Sequence, residues 1–223
     1  MPRISSTQSL SASVSAASVR WPQLYLGLFF TTLATLMLEL ALTRIFSVVF
    51  YYHFAFLAIS IALFGLGAGG VFSYVVARGS GSIYGSLYGK LGTLALANSL
   101  CVVMSLWFVL SRTGDLRGIT LAAVYFTTAL PFFLAGAVVS LAISEAIERI
   151  DRAYFWDLAG AAAGCFLLIL FLNTFGGPST IIASAVFYAV SAAVWYNQAG
   201  SAVRRATAVL ISLLLVTLIV VNQ

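Results

Sequence analysis

Long apolar runs recur along this chain from residue 24 to residue 221, and they restrict its fold more than any other feature. Hydrophobic residues make up 62% of the sequence and charged residues only 8%, whereas a soluble domain has about 25% charged residues. A bilayer core about 30 Å thick is crossed by roughly 20 apolar residues in a helix, and a helix satisfies its own backbone hydrogen bonds in lipid. The sequence therefore predicts an all-α, polytopic transmembrane helix bundle in the lipid bilayer.

Seven segments have the length that a membrane crossing requires, and short connections separate them. The predicted spans are Leu24–Ser47, His53–Ala77, Leu87–Leu110, Ile119–Ile143, Tyr154–Thr174, Ser179–Tyr196 and Ala206–Val221. Residues 1–22 are rich in Ser and Ala and are predicted to form a disordered cytoplasmic tail. Residues 23–223 then form one transmembrane helical domain.

The basic residues are distributed unevenly between the two ends of the predicted bundle. One end collects eight of them: Arg3, Arg20, Arg78, Lys90, Arg149, Arg152, Arg204 and Arg205. The other end collects Arg112 and Arg117, with Arg44 near the end of the first span. Because cytoplasmic loops carry the excess of Lys and Arg, we expect a cytoplasmic N-terminus in a bacterial inner membrane. The placement of these basic residues near span ends accounts for the net charge of +5. We therefore expect no nucleic-acid partner.

Charged side chains inside the spans mark the candidate functional residues. Glu39 and Arg44 lie in the first span and Asp157 lies in the fifth. A charged side chain at the centre of a bilayer costs about 2.5–3.5 kcal/mol, so it normally faces a partner or a wet cavity. Glu39 and Arg44 are about 140° apart around a helix, which is poor geometry for a pair within one helix.

Polar residues surround these charges. Thr31, Thr35, Glu39 and Thr43 recur at every fourth position, which places them on nearly one helix face. His53 begins the second span at the end of the membrane where Arg44 lies. The predicted intramembrane polar cluster comprises Thr35, Glu39, Thr43, Arg44, His53 and Asp157. This cluster is either a structural network of interfacial and snorkelling side chains or part of a path for an ion or substrate.

Two spans carry faces of small residues. The faces are formed by Ala55, Ala58, Ala62, Gly65 and Gly69 in the second span, and by Gly160 and Gly164 beside Asp157 in the fifth. Small residues at this spacing allow helix backbones to approach closely. The sequence therefore predicts GxxxG-type helix packing at both faces.

No motif in the chain indicates catalysis or a cofactor. The run from Gly65 to Gly70 matches GxGxxG, but it lies in an apolar helix without the preceding strand that a dinucleotide site requires. A single histidine excludes a His-rich metal site, and Cys101 and Cys165 lie singly inside spans. We therefore predict no catalytic residue, no cofactor and no metal, although an enzymatic role is not excluded.

Three segments carry a family resemblance: Glu39-Leu-Ala-Leu-Thr-Arg44, the run that begins at His53, and Asp157-Leu-Ala-Gly-Ala-Ala-Ala-Gly164. Together they resemble the N-terminal, multi-span membrane domain of the spermidine synthase-like membrane proteins, over about residues 24–220. The resemblance implies a membrane bundle followed by a soluble Rossmann-type aminopropyltransferase-like domain. No stretch of this chain offers the glycine-rich strand–loop–helix of that soluble domain, so its activity does not carry over.

Three classes of function are compatible with these sequence features, and an intramembrane enzyme is the third and least supported, because the chain has one histidine and no evident Ser/His or paired-Asp arrangement. The first, which the sequence favours, is a non-catalytic membrane subunit or anchor that works with a separate protein partner. The alternative is a transporter-like module that moves a proton or small cation, with a polyamine-related substrate among the options, along a polar path at Glu39, His53 and Asp157.

Overall fold

The structure, a computed structural model, describes residues 20–49, 54–78, 86–112 and 118–221, and within that part of the chain it is helical. The α-helices are α1 (Trp21–Val49), α2 (Phe54–Arg78), α3 (Leu87–Ser111), α4 (Gly118–Glu145), α5 (Ile150–Gln198) and α6 (Ala202–Val221). Within these described ranges, six helices are long and apolar enough to cross a membrane. The predicted all-α transmembrane bundle is confirmed.

Helix α5 consists of two arms that fold back on each other at Gly176. Gly176 has φ 76° and ψ 178° and Pro178 follows it, a backbone conformation that is almost exclusive to glycine. The first arm (residues 150–175) follows α1 in the same direction, because Trp156 stacks on Tyr25 and Gly164 lies against Leu33.

The second arm (residues 177–198) returns along α1 in the opposite direction. Gly177 lies beside Ile45, Tyr188 contacts Thr35 and Trp195 lies against Gly27. The arms therefore run antiparallel along the same helix, and α5 provides two membrane-length segments. With the other five helices this gives seven segments, and the Gly176–Pro178 turn falls where the sequence predicts a connection.

Helix α1 occupies the centre of the bundle. It packs against both arms of α5, against α2 and against α4, and side chains such as Leu28, Met37 and Phe46 are fully buried. By contrast, α6 and the first arm of α5 expose many large apolar side chains, including Leu214 and Phe166. Such an outer surface is suited to lipid.

Glycines set the closest helix contacts. A Cβ atom added to Gly69 of α2 would overlap the backbone of Phe133, and one added to Gly136 of α4 would overlap Leu66. On the other side of the bundle, a Cβ atom on Gly164 would come within 2.6 Å of the Leu33 carbonyl oxygen. At these three positions the backbones touch because no side chain separates them.

A short 3-10 turn separates α4 from α5. Helix α4 ends at Glu145, a 3-10 turn covers Ile147–Arg149, and α5 starts at Ile150. The Glu145 carboxylate accepts a hydrogen bond from Tyr88 at 3.3 Å, and the Arg149 guanidinium lies over the Trp21 ring, 4.7 Å from its centre. The turn therefore directs Glu145 and Arg149 to different partners.

Candidate functional site

A hydrogen-bonded network of polar side chains lies between α1 and the second arm of α5. The Thr31 and Ser191 hydroxyls are 2.8 Å apart, and Ser191 also donates to the Gly27 carbonyl at 2.9 Å. One turn further along α1, the hydroxyls of Thr35 and Tyr188 are 2.8 Å apart. All four side chains are buried, so this interior network is hidden from both lipid and water.

Both helices carry a polar stripe, and Tyr188 and Ser191 are the α5 residues whose side chains bond to α1. On α1, Thr31 donates to Gly27 and Thr35 donates to Thr31, each to the carbonyl oxygen four residues earlier, which is the bond that a threonine in a helix commonly makes. The opposing stripe consists of Thr180, Ser184, Tyr188, Ser191 and Trp195, all buried. Its steps of three or four residues keep it on one face.

Helix α3 adds an asparagine to the edge of the network. Asn98 is fully buried and lies near the Tyr188 hydroxyl, yet neither atom of its amide makes a hydrogen bond in the described structure. The neighbouring Ser99 donates to the Ala185 carbonyl at 2.8 Å. A buried amide without a partner is costly, and the Tyr188 hydroxyl is a polar group that lies near it.

The threonines that the sequence predicts to share one face of α1 have different surroundings in the structure. Thr31 and Thr35 belong to the interior network, whereas the Thr43 hydroxyl donates to the Glu39 carbonyl of its own helix at 2.8 Å. The reason is geometric, because each four-residue step advances about 40° around an α-helix. After three such steps Thr43 lies about 120° away from Thr31.

Glu39 lies outside the interior network, at the edge of the exposed face of α1. Its side chain is partly exposed, and its carboxylate makes no hydrogen bond or ion pair with any residue that the structure describes. It stands ten residues before the end of α1 at Val49, which is about 15 Å along the helix. A carboxylate that has no partner in the described part of the chain therefore lies well inside the span.

Arg44 does not pair with Glu39. Its side chain is exposed, and it lines a groove of about 480 Å³ together with Ile45, Val48, Leu110, Leu172, Gly177 and Pro178. The groove lies near the end of α1 and beside the turn between the two arms of α5. His53, the third predicted member of this outer cluster, lies outside the described residues.

Asp157 lies on the other side of α1, in the first arm of α5. Its backbone carbonyl accepts a hydrogen bond from Thr32 at 3.1 Å, while its side-chain Oδ1 is buried and has no partner in the described part of the chain. Gly160, one turn later, lies against Thr32 and Phe29. The structure therefore places Asp157 in a tight helix contact and does not join it to Glu39 or Arg44.

Sequence reasoning misses the most extensively hydrogen-bonded polar group in the bundle. Ser191 and Tyr188 are not among the predicted site residues, since each stands between apolar neighbours in the sequence. Their signal is the stripe from Thr180 to Trp195, whose steps of three or four residues place it on one helix face. Among the described residues, no group of three or more His, Cys, Asp and Glu side chains is placed to hold a metal.

Comparison of the chain with protein-family models, with curated proteins and with solved structures finds no match. Any function of the site must therefore be inferred from its geometry. The geometry provides an internally bonded bundle with two carboxyl groups, Glu39 and Asp157, that lack hydrogen-bond partners among the described residues.

Proposed function

We propose that this integral membrane protein is a non-catalytic subunit or anchor that works with a separate protein partner. The observation that supports this role is the position of Glu39. An unpaired carboxylate inside a membrane is costly and is stabilised by a donor from a neighbouring helix. Because no described residue of this chain supplies that donor, a helix of a partner that packs on the exposed face of α1 would do so.

The interior network is consistent with this role. Its hydroxyl groups bond to one another across the interface between α1 and α5, and Ser191 also bonds to the Gly27 carbonyl of α1. Hydrogen bonds of this kind hold transmembrane helices together. A subunit of fixed shape suits an anchor, which presents a constant surface to its partner.

We further propose that the chain corresponds to the membrane domain of spermidine synthase-like membrane proteins. The support is the spacing of Glu39 and Arg44 in α1 and of Asp157, Gly160 and Gly164 in α5. In the described residues, Arg20, Lys90, Arg149, Arg152, Arg204 and Arg205 gather at the end where α1 begins. Under the positive-inside rule this end is cytoplasmic, so a soluble partner would bind there.

Labelling of single cysteines tests the orientation. In a background where Cys101 and Cys165 are replaced by alanine, Lys90→Cys is expected to react with a membrane-impermeant maleimide only after the cells are opened. Arg112→Cys, at the opposite end of α3, is expected to react in intact cells. Labelling of residue 90 in intact cells would contradict the proposed orientation.

Purification from native membranes tests the subunit role. The tagged chain, solubilised in mild detergent, is expected to carry a second polypeptide in fixed stoichiometry by native mass spectrometry. Glu39→Leu removes the carboxylate from the α1 face and is expected to release that polypeptide. Asp157→Asn is the control, because it removes a carboxyl charge from α5 and leaves the α1 face unchanged. This variant should still carry the second polypeptide. A wild-type particle that contains only this chain would contradict the role.

A second function, passage of a proton or small cation, is favoured by one observation. The Asp157 Oδ1 atom is buried and unpaired among the described residues, and such carboxylates often mark ion pathways in membrane proteins. Proteoliposomes loaded with a pH-sensitive dye test this function directly. A proton flux that Asp157→Asn abolishes would favour transport, whereas equal flux in protein-containing and empty vesicles would exclude proton transport under these conditions.

A further inference from the structure

Among the residues that the structure describes, the groove beside Arg44 combines one cation with apolar walls. Its lining consists of the Arg44 side chain, the aliphatic residues Ile45, Val48, Leu110 and Leu172, and the turn residues Gly177 and Pro178. Its volume of about 480 Å³ lies within the roughly 300–1,000 Å³ that small-molecule sites commonly have. The groove is therefore large enough for part of an amphiphilic molecule.

The position of the groove indicates which molecules can reach it. Arg44 is five residues from the end of α1 at Val49, and Leu110 is one residue from the end of α3 at Ser111. The turn at Gly176, between the two arms of α5, lies at the same end of the bundle. The groove thus opens where the hydrocarbon core meets the headgroups, and lipids are the molecules present there at high concentration.

The positive charge of Arg44 indicates which lipid headgroups the groove would bind. No acidic residue is among the described residues that line the groove, and no described residue forms an ion pair with Arg44. The planar guanidinium matches a phosphate group with two parallel hydrogen bonds, whereas nothing in this described lining matches the ammonium of a zwitterionic headgroup. Val48, which is 83% exposed, and Leu172 offer apolar surface along which an acyl chain can lie.

We propose that this groove is a binding site for an anionic phospholipid, with the phosphate on Arg44 and an acyl chain along Val48 and Leu172. Binding of this lipid does not require the proposed partner, because the described lining of the groove belongs to this chain. The site would attach the turn between the arms of α5 to one lipid at the membrane surface.

Native mass spectrometry of the full chain in detergent tests this proposal with three probes: dioleoyl phosphatidylglycerol, dioleoyl phosphatidylcholine and glycerol 3-phosphate. The wild type is expected to retain phosphatidylglycerol at lower concentration than phosphatidylcholine and not to retain glycerol 3-phosphate. Loss of a charge-assisted hydrogen bond weakens binding about tenfold or more, so Arg44→Ala is expected to raise the half-saturating phosphatidylglycerol concentration by about that factor.

Three variants distinguish a specific site from general surface charge. Arg112→Ala removes a cation at the same end of the bundle, one that lies over the Phe108 ring and outside the groove, and should leave binding unchanged. Val48→Trp keeps Arg44 but fills the apolar wall, and should weaken lipid binding. Arg44→Lys keeps the charge without the guanidinium fork, and should bind more weakly than the wild type but more tightly than Arg44→Ala.

The proposal is overturned if Arg112→Ala and Arg44→Ala weaken binding equally, or if phosphatidylcholine binds as tightly as phosphatidylglycerol. Retention of glycerol 3-phosphate as tight as that of the lipid would indicate a free-phosphate site and would also overturn it. If Arg44→Ala does not fold, Val48→Trp and Arg44→Lys decide the matter, because unchanged binding in both would exclude the groove.

Discussion

The hydroxyl groups of Thr35 and Tyr188 lie 2.8 Å apart, although 153 residues separate them in the chain. This bond joins the central helix α1 to the returning arm of α5 at a position closed to solvent and lipid. Asn98 of α3 lies beside it, so three helices meet at one polar contact. The contact specifies the rotation and depth at which the second arm of α5 packs on α1.

Tyr188→Phe tests the energetic contribution of this contact. The substitution removes one hydroxyl and keeps the ring, so it is expected to lower the free energy of unfolding by about 0.5–1.5 kcal/mol, the range for hydrogen bonds between membrane helices. Tyr125→Phe is the matched control, because Tyr125 makes ring contacts with Phe64 and Phe126. The SDS fraction at the unfolding midpoint is measured for both variants in mixed micelles. Equal midpoints for the two variants would contradict the role assigned to the Tyr188 hydroxyl.

The overall fold could be predicted from the sequence because its main determinant is local. The length and hydrophobicity of each run identify a span, and Gly176 and Pro178 mark the turn inside α5 without any information about tertiary structure. Residues Gly65, Gly69, Gly160 and Gly164 lie in the structure against neighbouring helices.

The composition of the polar site could not be predicted in the same way. Which hydroxyls meet depends on the rotation of each helix about its axis and on which helices are neighbours. Thr35 and Tyr188 become partners only because the second arm of α5 returns along α1. The predicted grouping of Glu39 with Arg44 rests on depth alone, whereas the structure places Arg44 in a groove and Glu39 at the edge of an exposed face.

Gly164→Ala tests the close approach of α1 and α5. A Cβ atom at this position would come within 2.6 Å of the Leu33 carbonyl oxygen, so the helices must separate. We expect a loss of about 1–3 kcal/mol in the free energy of unfolding, as for other overpacked sites. Gly70→Ala is the control, because nothing lies within 4 Å of a Cβ atom at position 70. The free energy of unfolding of this variant should be unchanged or higher by up to about 1 kcal/mol. Equal losses in both variants would show that helix separation is not the cause.

Gly176→Ala tests the turn between the arms of α5. With φ at 76° and ψ at 178°, any residue with a Cβ atom is strained by about 1–3 kcal/mol. Gly177→Ala is the neighbouring control, because Gly177 does not have a positive φ and its Cβ would approach Ile45 no closer than 3.3 Å. The first variant is expected to unfold at a lower SDS fraction than the second. The reverse order would contradict a turn at Gly176.

Glu39→Gln and Arg44→Ala test whether the two charges of α1 serve the fold of this chain. The Glu39 carboxylate makes no hydrogen bond or ion pair with any described residue, and a neutral amide of the same size is less costly to bury than a carboxylate. Glu39→Gln is therefore expected to fold with an unchanged or slightly higher unfolding midpoint. Arg44→Ala removes an exposed cation that anchors the end of α1 at the membrane surface, and is expected to lower the yield of inserted protein about twofold or more.

The yield of folded, detergent-soluble protein, measured by fluorescence size-exclusion chromatography of a tagged chain, separates these outcomes. Arg112→Ala serves as the control for loss of one positive charge at the same end of the bundle. If Glu39→Gln abolished assembly as completely as Arg44→Ala, Glu39 would be a structural counter-ion of this chain. Its carboxylate would then have no need of a partner subunit, and the proposed subunit role would lose the residue that supports it.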